Sequence, residues 1–208
     1  MSRAVAARAA SLLLRYPDDE ALAALPVLRA ALDRLPARFA DPLRLVADHR
    51  AAGNPTDLAA EYVALFDFQR RCCLYLTYYT CGDTRNRGEA LVRFGAAYRE
   101  AGLAVADGEL PDFLPAVLDL AAVHDGGWRL LSANRVGIDL LAQALTTQKS
   151  AYRHAVEAVR ALLPPPRPAD VAAALRLAGD GPPRETVGLE PFRLIAPPKA
   201  PAAPGGTR

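Results

Sequence analysis

Three histidines (His49, His124, His154) and three cysteines (Cys72, Cys73, Cys81) are the side chains of this sequence best suited to metal ligation or nucleophilic chemistry. Their spacing serves neither. The histidines stand far apart, without an HExxH or comparable pairing on one helix face, and each is expected as a surface or hydrogen-bonded helix residue. Two cysteines are adjacent and the third lacks a CxxC interval, so three reduced thiols of a cytoplasmic protein are expected. No GxGxxG, Walker A loop or GxSxG elbow occurs, which removes the usual signatures of nucleotide cradling and serine hydrolysis. The acid pair Asp18/Asp19 lies at a helix start, where the helix dipole explains it. Nothing nominates a catalytic residue, and no enzyme activity, metal or cofactor is expected.

What the chain concentrates instead is aromatic and cationic side chains. The eighteen positions from Tyr62 to Tyr79 hold six of its fourteen aromatic residues, namely Tyr62, Phe66, Phe68, Tyr75, Tyr78 and Tyr79. Arg70, Arg71, Arg85 and Arg87 stand among and beside them, and residues 61–91 contain neither histidine nor serine. Without a nucleophile paired to a base, the segment suits recognition rather than covalent chemistry. Tyrosine is amphipathic and enriched at interfaces, and arginine can meet the acids or the helix C-terminus of a peptide. Helical spacing assigns Tyr62, Leu65, Phe66, Leu91, Phe94 and Tyr98 to a core. The residues between them divide evenly between packing and recognition. The candidate partner-binding set is Tyr62, Phe66, Arg70, Arg71, Tyr75, Tyr78, Tyr79, Asp83, Arg85 and Arg87.

The elements that must position this set read as helices. Alanine, leucine and arginine are abundant and β-branched runs are few, so the expected class is all-α. Pro26, Pro36 and Pro55 fit helix starts, and Gly53 and Gly102 fit helix stops. Residues around Tyr62 to Gln69 form one helix, CCLYLTYYTC is a connector, and Asp83 caps a helix that carries Leu91, Phe94, Tyr98 and Ala101 on its apolar face and ends at Gly102. A further helix begins near Pro111, with Glu109 and Asp112 at the positive end of its dipole, and Gly126 and Gly127 break it. A last long helix spans roughly 130–163, with Leu141, Leu145, Tyr152, Val156, Val159 and Leu163 as its stripe.

Eleven of the eighteen prolines follow residue 163, so one helical domain over 1–163 and a largely disordered Pro-rich tail over 164–208 are expected. Within the tail, 169–178 suits a short helix and PFRLI at 191–195 suits weak docking. The net charge of +2 falls entirely in the tail, because residues 1–163 carry 19 basic and 19 acidic side chains. That balance lacks the basic footprint of a nucleic-acid binder. No apolar run approaches the roughly 20 residues of a membrane span, and the arginine-bearing N-terminus, with Leu12, Leu13 and Tyr16, reads as an ordinary first helix rather than a targeting segment.

Three stretches carry a resemblance: LLLRYPD at 12–18, the run from Glu61 to Phe94 followed by YREAGL at 98–103, and ELPDFLPAVLDLAA at 109–122. In order and spacing they resemble the NarJ family, the dedicated chaperones that assemble the molybdenum-containing catalytic subunit of respiratory nitrate reductase. The resemblance implies a compact all-helical fold related to the chaperones of other molybdoenzymes. It implies a cytoplasmic binding protein, not a catalyst, that holds the N-terminal segment of the apo catalytic (alpha) subunit, supports molybdenum cofactor insertion and delays membrane docking. Molybdenum cofactor biosynthesis proteins are further candidate partners; nucleic acid and stable membrane insertion are not. A helix-in-groove contact is the expected mode, with tyrosines and leucines as floor and arginines and Asp83 as rim. Phe113 stands where members of the family often carry histidine, so no proton-linked role is carried to it. The alternatives are a chaperone for another molybdoenzyme, and a small helical ligand-binding protein or enzyme.

Overall fold

The computed structural model describes residues 2–106 and 108–183. Among them are twelve α-helices and no strand, in keeping with the all-α expectation. They are α1 (Ser2–Leu14), α2 (Asp19–Ala23), α3 (Leu25–Leu32), α4 (Ala37–Ala52), α5 (Pro55–Tyr62) and α6 (Leu76–Cys81), then α7 (Arg85–Glu100), α8 (Leu114–Val123), α9 (Asp125–Ala133), α10 (Arg135–Thr147), α11 (Arg153–Leu162) and α12 (Pro168–Asp180). No helix among the described residues is long and apolar enough to cross a membrane.

The small-residue face of α1 sets the packing. Ala6, Ala7, Ala10, Leu13 and Leu14 are fully buried, and alanines at this density let α8 and α11 approach closely on either side. The arginines on and just after α1 serve this packing: Arg8 and Arg15 both pair with Asp119 of α8, and Arg3 donates to the Leu162 carbonyl at 2.8 Å while lying over the Trp128 ring. α11 is amphipathic, and its Ala155, Val156, Ala158, Val159 and Leu162 complete the core against α1 and α4. Helix punctuation follows the prolines and glycines. Pro26 and Pro55 lie in the first turns of α3 and α5, Pro36 precedes α4, and Gly53 and Gly102 close α4 and α7.

The connector expected at CCLYLTYYTC contains α6, and Leu91, expected in the core, is only half-buried on α7. Four further expectations need correction. The single helix over 130–163 is instead α9, α10 and α11. Asn134 ends α9 by donating its amide to the Leu130 carbonyl. Lys149 ends α10 in the left-handed region (φ 54°), with the Ser150 amide returning to the Leu145 carbonyl at 3.1 Å, a six-to-one closure. A lysine in a place that favours glycine hid this stop. The helix expected near Pro111 starts at Leu114, because Asp112 is engaged elsewhere, although Pro115 does lie in its first turn. The cap of α7 is Thr84 rather than Asp83, since the tight turn at Gly82 (φ 57°) needs one more residue before the helix begins.

The fourth correction concerns Gly126 and Gly127. They do not break α8, which ends at His124; they lie in the first turn of α9, where α9 crosses α8. A Cβ on Gly127 would stand 2.2 Å from the Ala121 nitrogen and 2.5 Å from its Cα. Alanine normally gains up to about 1 kcal/mol over glycine in a helix, but here it would push two backbones apart. Gly127→Ala is therefore expected to cost about 2–3 kcal/mol. That corresponds to a melting midpoint lowered by about 5–10 °C. A thermal melt followed by circular dichroism checks this, and a midpoint at or above that of the parent would refute the close crossing.

Residues 164–167 lead from α11 into α12, which forms where the short tail helix was expected and packs on α10. The PFRLI segment lies outside the described residues.

Candidate partner-binding clefts

The aromatic run is shaped by successive changes of helical pitch. α5 passes into one π-helical turn over Val63–Asp67, closed by the Phe68 amide on the Val63 carbonyl. The widened turn keeps Leu65 and Phe66 inward and leaves Phe68 on the outside, 76% exposed. A 3-10 turn at Arg70–Cys72 then places both arginines outside and Cys72 inside. Burial pushes the Cys72 thiol up to about 11, with Cys73 beside it as a lesser cause.

Tyr75 next forms an isolated bridge with Phe113, through the Leu76 amide on the Asp112 carbonyl (3.0 Å) and the Leu114 amide on the Leu74 carbonyl (2.8 Å). The buried Asp112 carboxylate accepts from the Thr77 amide at 3.0 Å and the Thr77 hydroxyl at 2.6 Å. It thus satisfies an orphan donor at the start of α6, a helix of six residues with no cap of its own. Arg87 donates Nε to the Thr77 hydroxyl at 3.3 Å and lies over the Tyr75 ring, so it braces α6 from α7. Tyr79 is buried, its hydroxyl between the carbonyls of Arg71 and Cys73 at 3.0 and 2.8 Å, which pins the 3-10 turn.

Seven of the ten candidate residues divide between two clefts, and Asp83, Arg85 and Arg87 line neither. Arg70, Arg71, Tyr78 and Tyr79 line a cavity of about 200 Å³ with residues of α10 and α12. Tyr62, Phe66 and Tyr75 line another, of about 390 Å³, together with Arg15, Tyr16, Asp18, Asp67, Glu109 and Phe113. Tyr62 and Phe66, 94% and 92% buried, present only their edges to it, because they also belong to the core cluster with Tyr152. Asp83 and Arg85 are exposed beside the α6–α7 turn and line neither cleft; Asp83 pairs with Arg87 at 3.4 Å.

The clefts are opposite in charge. Among the described residues no acid lines the first, where two guanidiniums stand. The second has three carboxylates and one guanidinium, Arg15, that Asp119 already holds at 2.7 Å. Its aromatic wall runs through Tyr16 and Tyr62 (5.5 Å between ring centres), Phe66, and the Tyr75–Phe113 pair (5.5 Å). Burial, and then a hydrogen bond to Glu109, push the Tyr75 phenol above its ordinary range, so it stays neutral and donates to that carboxylate at 2.9 Å.

Arg15, Tyr16, Asp18, Asp67, Glu109 and Phe113 were absent from the candidate set. A signal for them existed: all six belong to the three stretches that carry the resemblance, and all three stretches contribute to this cleft. Leu140, Gln143 and Ala144 of the first cleft were also missed, although α10 carries apolar residues on a second face beside its core stripe of Leu141 and Leu145.

Among the described residues no group of three or more His, Cys, Asp or Glu is placed to hold a metal ion. His49 and His154 pair with Glu61 and Glu157, and His124 accepts from the Gly126 amide at 3.1 Å.

Comparison with known proteins gives a consistent picture. A family model described as nitrate reductase delta subunit matches residues 18–158. The chain is 47% identical over 153 residues to the nitrate reductase-like protein NarX of Mycobacterium tuberculosis (strain H37Rv), covering 72% of this chain and 23% of that protein. It is 35% identical over 124 residues to the probable nitrate reductase molybdenum cofactor assembly chaperone NarJ of Bacillus subtilis (strain 168), covering 59% and 67%. The nitrate reductase molybdenum cofactor assembly chaperone NarJ of Escherichia coli (strain K12) is 35% identical over 119 residues, covering 54% and 49%. The chain thus spans about a quarter of NarX and about half of the E. coli protein.

Proposed function

Since the chain belongs to the nitrate reductase delta subunit family, we propose that it is an assembly chaperone for the catalytic subunit of a respiratory nitrate reductase. It binds the N-terminal segment of the apo subunit, keeps that subunit open for molybdenum cofactor insertion, and releases it before membrane docking. Its work is binding, and no residue takes a catalytic role. The observation that carries this reading is the convergence of residues 12–18, 61–94 and 109–122 on one aromatic cleft with a carboxylate rim.

The chemistry of that cleft describes its ligand. Tyr16, Tyr75 and Phe113 offer apolar faces to the side chains of an amphipathic helix, and Asp18, Asp67 and Glu109 attract its basic residues or its positive N-terminal end. Of the arginine rim expected from sequence, Arg70 and Arg71 line the other cleft and Arg85 and Arg87 line neither, so the client segment is read as basic rather than acidic. A partly exposed aromatic floor with screened surface charges gives moderate affinity, as a chaperone that must release its client requires.

Isothermal titration with a synthetic peptide of the first 20 residues of the catalytic subunit tests this. Tyr75→Ala combined with Asp67→Lys is expected to weaken binding at least about tenfold, roughly 1.4 kcal/mol. Raising the salt should weaken the parent complex as well. Unchanged affinity in a folded double variant would remove the client from this cleft, and a loss confined to Arg70→Glu/Arg71→Glu would move it to the other one.

A further inference from the structure

The first cleft lies apart from the proposed client site and already contains a helix. α12, thirteen residues long, lies along α10 with its C-terminal end against the start of the α6 region, yet none of its residues is buried. Its inward face is Asp170, Ala173, Ala174 and Leu177, so one leucine is the only large apolar side chain it brings. Val171 and Leu175 point outward, 47% and 72% exposed. Toward the C-terminal end of α12, where it presents Leu177 and Ala178, a cavity of about 200 Å³ remains against Tyr78, Leu140 and Ala144. Among the described residues every other helix of ten or more residues buries at least four of its residues. α12 is thus seated on a groove that it does not fill.

Its attachment is that of a hinged part. The Pro164 carbonyl is held by Arg135 at 2.7 Å, and the prolines after it make a stiff connector. Asp170 closes the first turn of α12 through the Arg167 amide, so the cap belongs to α12 itself and not to the groove. Beyond α12 the backbone crosses the α6–α7 turn, where a Cβ on Gly82 would collide with the Pro183 carbonyl. Leu177, Ala178, Gly181 and Pro182 share the cavity with Arg70 and Arg71. A helix seated this way turns its negative C-terminal end toward two guanidiniums, with no acid among the described residues of the cleft.

We propose that the α6–α10 face beneath α12 is a second docking surface, for an acidic amphipathic helix of a partner protein, and that α12 is its displaceable cover. The occupant differs from α12 in bulk and charge: it brings larger apolar residues at i, i+4 and i+7 to fill the cavity, and a carboxylate near its C-terminal end for Arg70 and Arg71.

The test uses a labelled synthetic peptide of residues 167–183 carrying Ala178→Leu and Gly179→Glu, with fluorescence anisotropy against the full chain. Leu177→Asp in the full chain loosens the cover without touching the core, and it should bind the peptide at least about tenfold more tightly than the parent. Ala178→Leu in the full chain fills the cavity from within and should weaken binding at least about threefold. A control peptide with Gly179→Lys should bind less well than the glutamate form, and Arg70→Glu/Arg71→Glu should abolish that preference. Equal affinity for parent and Leu177→Asp chains would overturn the cover, and equal affinity for the two peptides would overturn the acidic partner. If Leu177→Asp forms a dimer in light scattering while peptide affinity stays unchanged, the groove serves a second copy of this chain and the proposal fails. The basic client peptide addresses the other cleft, so its failure to bind would leave these outcomes readable.

Discussion

Replacing Arg50 by methionine is expected to cost about 3–4 kcal/mol of folding stability, from two orphaned carbonyls at about 1–3 kcal/mol each and a lost ring contact. Arg50 belongs to α4, is 2% exposed, and has no acid among its hydrogen-bond partners. Its guanidinium donates to the carbonyls of Leu12 and Arg15 at the end of α1 and lies over the Tyr152 ring, 5.4 Å from its centre. A buried cation is normally expensive, and exchanging a complete buried ion pair for apolar residues can be neutral. Here the exchange removes only the donor. The partly buried carbonyls at the negative end of α1 lose their guanidinium donor, while methionine keeps most of the volume, so the hydrogen-bond and dipole loss dominates. Arg50→Lys should recover less than half of the difference, since an ammonium cannot fork to two carbonyls and stack on a ring together. Urea unfolding followed by circular dichroism measures both, and a cost below about 1 kcal/mol for the methionine variant would show that α1 ends without this cap.

The second large effect is expected at Asp112. Asp112→Ala should lose about 2–4 kcal/mol, because two charge-assisted hydrogen bonds vanish and leave the Thr77 amide and hydroxyl without their acceptor. Thr77 is 1% exposed, so water cannot readily replace the carboxylate. α6 has only six residues and depends on this outside acceptor, on the Tyr75–Phe113 bridge and on the Arg87–Thr77 bond. Loosening its start should also displace Tyr75, so the client peptide should bind at least about threefold more weakly even where the variant remains folded. Asp112→Asn keeps one acceptor and should return roughly half of the stability. Stability within about 0.5 kcal/mol of the parent for Asp112→Ala would remove the carboxylate from this role.

These two residues illustrate what could be read from the chain and what could not. The type of work assigned to Asp112 was right: an acid serving the positive end of a helix. The helix was wrong, because its beneficiary is α6, thirty-five positions earlier in sequence, and not α8 beside it. Arg87 was expected at a rim that meets the partner, whereas it braces Thr77 and Tyr75 inside the protein. Tyr79 is a buried pin for the arginine turn. Nothing local distinguishes a tyrosine that faces a partner from one that holds a turn, since both are amphipathic and both sit at helical spacing. The division of 130–163 into three helices escaped for a related reason, because Lys149 takes a left-handed conformation that its type does not announce.

By itself, the sequence determined the helical class, the starts at Pro26, Pro36 and Pro55, the stops at Gly53 and Gly102, and the burial of Tyr62, Phe66, Phe94 and Tyr98. These follow from local causes: the amide hydrogen that proline lacks, the low helix propensity of glycine, which leaves the helix in extended backbone at Gly53 and at positive φ at Gly102, and apolar residues recurring once per turn. The three stretches of the resemblance were equally legible, and they pointed to the family. Tertiary structure alone decided that those stretches close around one carboxylate-rimmed aromatic cleft, that Arg70 and Arg71 fall on a different face, and that α12 lies across it. Such matters depend on which helix crosses which and at what distance, as at Gly127, and contacts between residues far apart in the chain leave no periodic trace in it.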